Sequence, residues 1–568
     1  MFGRRLYCRP SRCKFYILGF FSCQLVLVLI ILKSGVFEPT KNEPYSDNLV
    51  VDLSIAWKAI VSRTPLYSNG FFQYSLYMSD SLGALRGLPT TRHESCNFHS
   101  YTLPEPSKAK VSVVISFHNE ARSMLLRTIV SLIKHTPEEY LHELIVVDDR
   151  SLDATLLDDL ERWLGRVFAT RSRLGLIFLR NLERRGLIWS RNRGAIVASG
   201  HYILFLDSHC EVNEGWLEPL LERLALNPRL AVSPVLDPID PETLSYRKGN
   251  EMLKGGFDWS LHFHWLKRRL ATKERPEAPY KSPSFSGGVL IISREWFFKL
   301  NSFNPNLKIW GGESIELAIK LWLCGGQIEI VPCSRIGHIF RRFHAFEFPP
   351  EGDFTELASP ERSSAQSTYL HNSKIIAESW LDEYKNMFYA LKPAAKGIPL
   401  NDTTIEELHQ FRRERQCHRF NWYLWNVSPE LRFNLEELAA TGTLQNEDRC
   451  LHARNQKDSQ TGRQLILTSC YSKDITQWSL FRVTGQLSTQ RELCLGVGFG
   501  RILSLGPCGQ NETLRQSQQW VRTGTQLMHA ATHLCLDNPI KDQLELNSCR
   551  SHAVSQSFQF ALEMERQT

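Results

Sequence analysis

The chain lacks a nucleic-acid footprint. Lys and Arg exceed Asp and Glu by only seven in 568 residues, and five of the basic residues, Arg4, Arg5, Arg9, Arg12 and Lys14, crowd before one hydrophobic run. Beyond that run no two cysteines stand close together at zinc-ligand spacing, which excludes a zinc finger or ribbon. Nor does a small-x-small cleavage pattern follow the run at once, which argues against a removed signal peptide. Charged residues make up 22% and hydrophobic ones 42%, values that fit a globular chain rather than a disordered or fibrous one. At this length two domains and a tether are expected.

The run itself, Phe15 to Leu32, is eighteen residues without a charge. At helical rise that crosses a thin bilayer, with Lys14 and Lys33 snorkelling at its ends. It reads as a transmembrane signal anchor over 15–32, behind a cytoplasmic tail, 1–14. The basic flank is N-terminal, so a single-pass type II topology follows, with everything after Lys33 luminal in a secretory membrane. Eleven of the fourteen cysteines lie beyond the anchor, and with the sequons Asn401-Asp402-Thr403 and Asn511-Glu512-Thr513 they agree with an oxidising lumen. Residues 33–90 carry scattered Pro, Ser, Gly and charge with little periodicity and read as a stem.

From Val111 short apolar runs, Val111 to Ile115, Leu144 to Val147, Leu174 to Leu179 and Tyr202 to Leu206, alternate with helical stretches such as Met124 to Lys134 and Ser190 to Ala198. That alternation predicts an α/β domain on a mainly parallel, twisted sheet. Polar residues gather where the runs end: Ser116-Phe117-His118-Asn119-Glu120, Asp148-Asp149 and Asp207-Ser208-His209. A strand-end aspartate alone most often caps a turn. Three polar strand ends in one sheet point instead to the crevice where such folds bind nucleotides. Asp207 and His209, joined by the distant His338 in Ile336-Gly337-His338-Ile339-Phe340, form a metal corner suited to a divalent ion on the diphosphate of a nucleotide sugar. The expected chemistry is glycosyl transfer.

After about residue 445 the texture turns all-β, and three copies of about forty residues appear. Cys450-Leu451, Cys494-Leu495 and Cys535-Leu536 open them; second cysteines follow at 470, 508 and 549, then Gln477-Trp478, Gln518-Gln519-Trp520 and Gln556-Ser557-Phe558. No single copy can bury its own apolar face, so the three are expected to close on one another around these aromatics, which are core before they are ligands.

With these residues in hand, the chain from Arg92 to about Phe560 resembles the polypeptide N-acetylgalactosaminyltransferases. Carrying the resemblance are Phe117-His118-Asn119-Glu120-Ala121-Arg122-Ser123, Val147-Asp148-Asp149, Asp207-Ser208-His209-Cys210-Glu211, Gly287-Gly288, Trp310-Gly311-Gly312-Glu313, Gly337-His338-Ile339-Phe340-Arg341 and the triple repeat. It implies a GT-A type, Rossmann-like catalytic domain over 91–435, a linker over 436–446 and a ricin-type β-trefoil lectin domain over 447–568. It implies transfer of GalNAc from UDP-GalNAc, with retention, to Ser or Thr of polypeptides or glycopeptides, by a Golgi membrane enzyme that uses manganese (Mn2+). Residue by residue, it places Asp207, His209 and His338 on the metal, and Ser116, Asp149, Arg184 and Ser208 around the nucleotide. Gly287 and Gly288 would let backbone approach the sugar, Glu313 would bond sugar or acceptor, and Arg341 and His344 would steady the phosphates. Trp310, beside two glycines, would act as a lid. The implied disulfides are Cys96-Cys333, Cys324-Cys417, Cys450-Cys470, Cys494-Cys508 and Cys535-Cys549, leaving Cys210 a free luminal thiol whose reactivity needs checking.

The chain departs from the family pattern at Ser314, Phe346, Trp189, Arg185, Ser286 and Val212, and each departure loses or moves a polar contact. In the trefoil, His452 and Gly496 replace the aspartate that such repeats use for sugar, and only Asp537 keeps it. A catalytically weak or inactive relative acting as a glycoprotein-binding or regulatory Golgi protein is the alternative to an active enzyme.

Overall fold

A computed structural model describes residues 71–568 together with Trp57 and Val61, apart from 154, 172–173, 349–363, 456–462, 471, 473–474, 490–492, 510, 541–542 and 565–568. The cytoplasmic tail 1–14 and the anchor 15–32 lie outside the described residues. Among the described residues no helix is long and apolar enough to cross a membrane.

The catalytic half is built on a nine-stranded sheet. Its strands are β1 (Val111–Phe117), β2 (Leu141–Asp148), β3 (Gly175–Arg180), β4 (Tyr202–Asp207), β5 (Cys210–Val212), β6 (Leu230–Ile239), β9 (Tyr280–Lys281), β10 (Val289–Ser293) and β11 (Gln327–Ile339); a separate hairpin joins β7 (Leu253–Phe257) and β8 (Phe263–Lys267). The order is β3-β2-β1-β4-β10-β6-β11-β5, with β9 against β11. The β3-β2-β1-β4 half is parallel, but β10 runs antiparallel to both β4 and β6, so the sheet is mixed. All seven residues of β1 are buried, because helices cover both faces of this half. Strand alternation then sorts the apolar side chains into two cores. Val114, Ile145, Val147 and Phe205 face one, while Val113, Ile115, Leu144, Val146, Leu204 and Leu206 face the other.

Strand order reverses at β1, so the carboxyl ends of β1 and β4 flank the crevice where α/β sheets take ligands. Register sets Ser116 opposite Asp207, and Phe117 opposite Asp148. Across the sheet β11 pairs with β5, His338 opposite Cys210, and this brings the third corner residue beside the first two.

Two expected boundaries shift. The stem does not run to residue 90, since Trp57, Phe72 and Tyr74 are buried and the helix Leu76–Ser81 lies on the catalytic body. Arg86 grips Glu211 through two bonds of 2.7 and 2.6 Å, and Ser79 Oγ meets Ser123 Oγ at 2.7 Å. Too short for a helical period, this segment is held by aromatic burial and ion pairs. The linker 436–446 is also largely strand. β12 (Leu438–Asn446) pairs with Trp478–Phe481 and Gln559–Glu563, which closes the trefoil on its own first strand.

In the trefoil Trp478, Trp520 and Phe558 are buried, and both indole N–H groups donate at 2.8 Å to repeat carbonyls, of Leu451 and Leu495. Core packing is thus what these aromatics do. The five disulfides form: Cys96–Cys333, Cys324–Cys417, Cys450–Cys470, Cys494–Cys508 and Cys535–Cys549. The domains meet where the helix Lys385–Leu391 packs on β12, with Leu438, Phe481, Leu562 and Met564 joining the catalytic core. Gly442, at φ 109°, permits this approach, since a Cβ there would lie 2.9 Å from the Ala390 carbonyl oxygen.

Candidate active site

Asp207, His209 and His338 offer one ligand atom each, all within 4.8 Å of one another. Asp207 ends β4, His209 follows in the turn to β5, and His338 sits near the end of β11. His338 Nε2 lies 3.3 Å from Asp207 Oδ2, and the two imidazole rings are 4.9 Å apart. Gly288 makes the corner possible. A Cβ there would come within 2.9 Å of the His338 ring and 3.0 Å of Asp207 Oδ2, so its bareness makes room for the corner. Gly287 is different, since a Cβ there would make only ordinary contact, nearest to Glu313 Oε1 at 3.5 Å.

The protonation states suit a cation. Burial alone would raise the Asp207 carboxyl, but Arg191 and the two histidines outweigh it and hold the group well below the usual carboxylate range. Burial, with the Arg341 charge, lowers His209. His209 Nδ1 lies 3.1 Å from Glu120 Oε2. An ionised carboxylate only accepts, so Nδ1 carries the proton and Nε2 keeps its lone pair for a ligand. One carboxylate and two imidazoles, with the second ring nitrogen of one already fixed, form a donor set that fits a divalent ion such as manganese.

Two cavities of about 1230 and 950 Å3 meet at Asp207, His338 and Trp310. The smaller is lined by Ser116, His118, Asp149, Arg184, Arg341 and Phe346. Among the described residues Ser116 Oγ is buried there without a hydrogen-bond partner, as a group awaiting a ligand would be. Both Asp149 oxygens already accept from the chain: Oδ1 from Asn181 at 2.7 Å and the Arg185 amide at 2.8 Å, Oδ2 from the Gly186 amide at 2.7 Å. It therefore braces the loop 181–186 as well as lining the cavity. Arg184 donates to the Glu347 carbonyl and lies over the Phe346 ring.

Ser208 and His344 also line the smaller cavity. Ser208 is buried, and its hydroxyl donates to Glu120 Oε2 at 2.7 Å, so it supports His209 as well. His344 packs edge-on against Trp310 at 4.5 Å, with Phe346 and Phe348 behind it, and burial lowers its pKa. Cys210 is an inert thiol, since burial and then the Asp207 charge push it well above the ordinary range.

The larger cavity holds Gly287, Gly288, Trp310, Glu313 and Ser314 at its floor. Glu313 Oε2 accepts from the Gly311 amide at 3.0 Å, and its Oε1 lies 3.5 Å from Arg191. The Trp310 loop is fastened from one side. Asn372 Nδ2 donates to the carbonyls of Lys308, Trp310 and Gly311 at 2.9, 3.3 and 2.8 Å, and its Oδ1 accepts from the Lys308 amide at 2.8 Å. Ile309, Gly311 and Gly312 all have positive φ, so the lid glycines carry real left-handed turns. At its other end the cavity reaches the first trefoil repeat, at His452, Ile475 and Gln477.

Sequence reasoning missed four residues. Arg191 donates to Asp207 Oδ1 at 2.7 Å and to the Gly287 carbonyl at 2.6 Å. It sits within a helix, Leu187–Val197, and carries no pattern of its own. Asn372, on another helix, is equally silent, and Tyr74 lay in the supposed stem. Glu120 stands inside the Phe117–Ser123 motif, yet nothing local shows that it faces the metal corner. Among the departures, Arg185 and Trp189 pair with each other at 4.8 Å and line neither cavity, whereas Ser286 and Ser314 line the larger one and Phe346 the smaller. Asp537 is buried in the third repeat, its Oδ2 accepting from Asn547, Arg550 and Gln556 at 3.1, 3.0 and 3.0 Å.

Residues 112–300 match the family described as Glycosyl transferase family 2, 267–345 match N-terminal domain of galactosyltransferase, and 440–558 match Ricin-type beta-trefoil lectin domain. The putative polypeptide N-acetylgalactosaminyltransferase 13 of Drosophila melanogaster is 68% identical over 565 residues, 99% of each chain. Polypeptide N-acetylgalactosaminyltransferase 14 of Homo sapiens is 38% identical over 507 residues, 85% of this chain and 86% of that one. The crystal structure of GalNAc-T7 with UDP, GalNAc and Mn2+ superposes with a TM-score of 0.66 at 26% identity, covering 93% of this chain and 92% of that one. A GT-A sheet with a corner of two histidines and an aspartate, a trefoil behind it, and relatives matched along nearly their whole length make this chain a member of the polypeptide N-acetylgalactosaminyltransferase family.

Proposed function

We propose that this chain transfers GalNAc from UDP-GalNAc to Ser or Thr hydroxyls of polypeptides, with retention at the anomeric carbon, and so initiates mucin-type O-glycans. The observation that carries the proposal is the convergence of Asp207, His209 and His338 where β1 and β4 open the crevice. Manganese is the cation these residues would hold. What it supplies when bound is Lewis-acid stabilisation of the charge that develops on the departing diphosphate.

The chain's own groups do the rest. Ser116 offers its hydroxyl to the base, and Arg341 lines the same cavity, where it would face the diphosphate. Arg191 holds the Asp207 carboxylate and the Gly287 carbonyl in place. Neither floor carboxylate is placed as a nucleophile. Asp207 is bound to Arg191 and His338, and Glu313 is turned to the Gly311 amide. That agrees with front-face transfer, in which a leaving phosphate oxygen takes the acceptor proton while Glu313 orients the sugar. Trp310 covers the junction of the two cavities and keeps water from the anomeric carbon. The acceptor chain would enter along the larger cavity, past Phe263, Trp265 and Tyr369. We also propose that residues 15–32 anchor the protein in the Golgi membrane with the catalytic domain luminal.

The test is transfer to a panel of Ser/Thr peptides from UDP-GalNAc with manganese. Wild type is expected to glycosylate at least one peptide, and Asp207→Asn and His338→Ala none. Wild-type activity no greater than that of the variants would leave the chain a silent glycoprotein-binding relative.

A further inference from the structure

Glu120 is surrounded by donors alone. Its Oε1 accepts from Tyr74 Oη at 2.7 Å and from Arg341 Nη2 at 2.9 Å; its Oε2 accepts from Ser208 Oγ at 2.7 Å, His209 Nδ1 at 3.1 Å and the same Arg341 nitrogen at 2.8 Å. The Ala121 amide adds a contact at 3.2 Å to Oε1. Only an ionised carboxylate can accept from all of these at once, since an amide would turn a donor toward at least one of them. The carboxylate is 5% exposed, so water cannot substitute for any partner it loses.

Three of these contacts reach the nucleotide and metal site and one does not. His209 is a corner ligand, Ser208 stands beside it, and Arg341 lines the smaller cavity. Tyr74 belongs to the N-terminal segment that lies across the helix Arg122–His135, and it also carries the Arg341 guanidinium over its ring, 5.5 Å from the centroid. Phe72 stacks on the other side of Tyr74 at 5.7 Å, which fixes the phenol in place. A segment outside the sheet therefore holds, through one carboxylate, both a metal ligand and a phosphate-facing arginine.

We propose that Glu120 is the positioning residue of the metal corner, and that Tyr74 of the N-terminal segment sets how well the corner binds its ion. Glu120 holds the His209 tautomer that leaves Nε2 free, and it stops Arg341 from swinging into the corner, where its charge would repel a cation. Tyr74 holds Glu120 from the far side. The active site is incomplete without residues 71–82. This inference rests on the metal reading of Asp207, His209 and His338, and its test separates the two.

Manganese and then UDP are titrated calorimetrically into the full chain carrying Glu120→Gln, Tyr74→Phe or Ser79→Ala, with thermal unfolding recorded for each. Ser79→Ala removes contacts of the same segment with Ser123 and Arg127 rather than with the corner, and serves as the structural control. Loss of a partner behind a metal-bound histidine weakens metal binding by about 10- to 100-fold, so Glu120→Gln is expected to weaken manganese at least about tenfold. Tyr74→Phe keeps the ring and loses one bond, and should weaken manganese about threefold, with a melting temperature no lower than that of Ser79→Ala. Ser79→Ala is expected to bind manganese as wild type does. Equal manganese affinity in wild type and Tyr74→Phe would overturn the proposal, even if Glu120→Gln failed to fold. An equal loss in Ser79→Ala and Tyr74→Phe would also overturn it, by reducing the segment to a structural brace. No manganese binding by wild type would instead sink the metal reading itself.

Discussion

Gly287 and Gly288 are adjacent and chemically identical, yet their surroundings assign them different work. A methyl at Gly288 would strike the His338 ring and the Asp207 carboxylate, while one at Gly287 would meet nothing nearer than 3.5 Å. Gly288→Ala is therefore expected to weaken manganese at least about tenfold, as disturbances behind a ligand do. Gly287→Ala should leave manganese unchanged and raise KM for UDP-GalNAc, the sugar being what would occupy the cavity that Gly287 lines. Manganese titration and donor kinetics on the pair check this, and equal metal affinity in both would contradict it. Acid gives a second residue-scale test. Burial alone would raise the Asp207 and Glu120 carboxyls, but Arg191 and the histidines at one, and Arg341, His209 and Tyr74 at the other, hold both well below the ordinary range. A carboxyl depressed on folding contributes stability that is complete above its unfolded value, about 4 to 4.5, and lost as pH falls. The melting temperature is expected to fall as pH drops below about 4.5, and less steeply in Glu120→Gln. A melting temperature that held steady down to pH 3 would contradict the assignment.

At the scale of elements, the loop from Lys308 to Gly312 is the piece whose position decides whether the site is covered. Three backbone carbonyls and one amide of this loop bond to Asn372 alone. Asn372→Ala frees them together, and it is expected to lower kcat about tenfold or more with a smaller change in KM for UDP-GalNAc, the pattern of a loosened lid. Unchanged kcat would show that Trp310 keeps its place without that clamp. The elements that carry the site were legible in the sequence because continuous apolar strands ending in polar residues leave few other readings. Val111–Phe117 and Tyr202–Asp207 are such strands, and their ends point to the crevice. The repeat spacing of Cys-Leu and Gln-x-Trp exposed the trefoil for the same reason, since it recurs. What stayed hidden depends on partners far along the chain. Tyr74 meets Glu120 across 46 residues, Arg341 meets it across 221, and Asn372 meets the lid across about sixty. No local period encodes such contacts. The start of β12 is hidden differently, because its Gly442 and threonines resemble linker composition, and pairing with strands far along the chain, Trp478–Phe481 and Gln559–Glu563, makes it a strand.

The whole molecule couples the two domains through shared core and a shared cavity. The helix Lys385–Leu391 lies under β12, and the larger cavity runs from the metal corner to His452 and Gln477 of the first repeat. In that repeat the histidine replaces the carboxylate and takes up Thr476, its Nδ1 3.2 Å from the Thr476 amide. Asp537, the one carboxylate kept, is buried and answers three donors. Asp537→His leaves those donors unmet, at a cost of about 1–3 kcal/mol, and a lower melting temperature would register it. An unaltered melting temperature would mean that the trefoil does not depend on this network. Transfer as proposed requires one cation held by Asp207, His209 and His338 and in turn holding UDP. Calorimetry of UDP binding with and without manganese measures that directly. One saturable UDP site that requires manganese and vanishes in Asp207→Asn and His338→Ala is the expected result; UDP binding of equal strength without manganese, or no heat with both present, would contradict it.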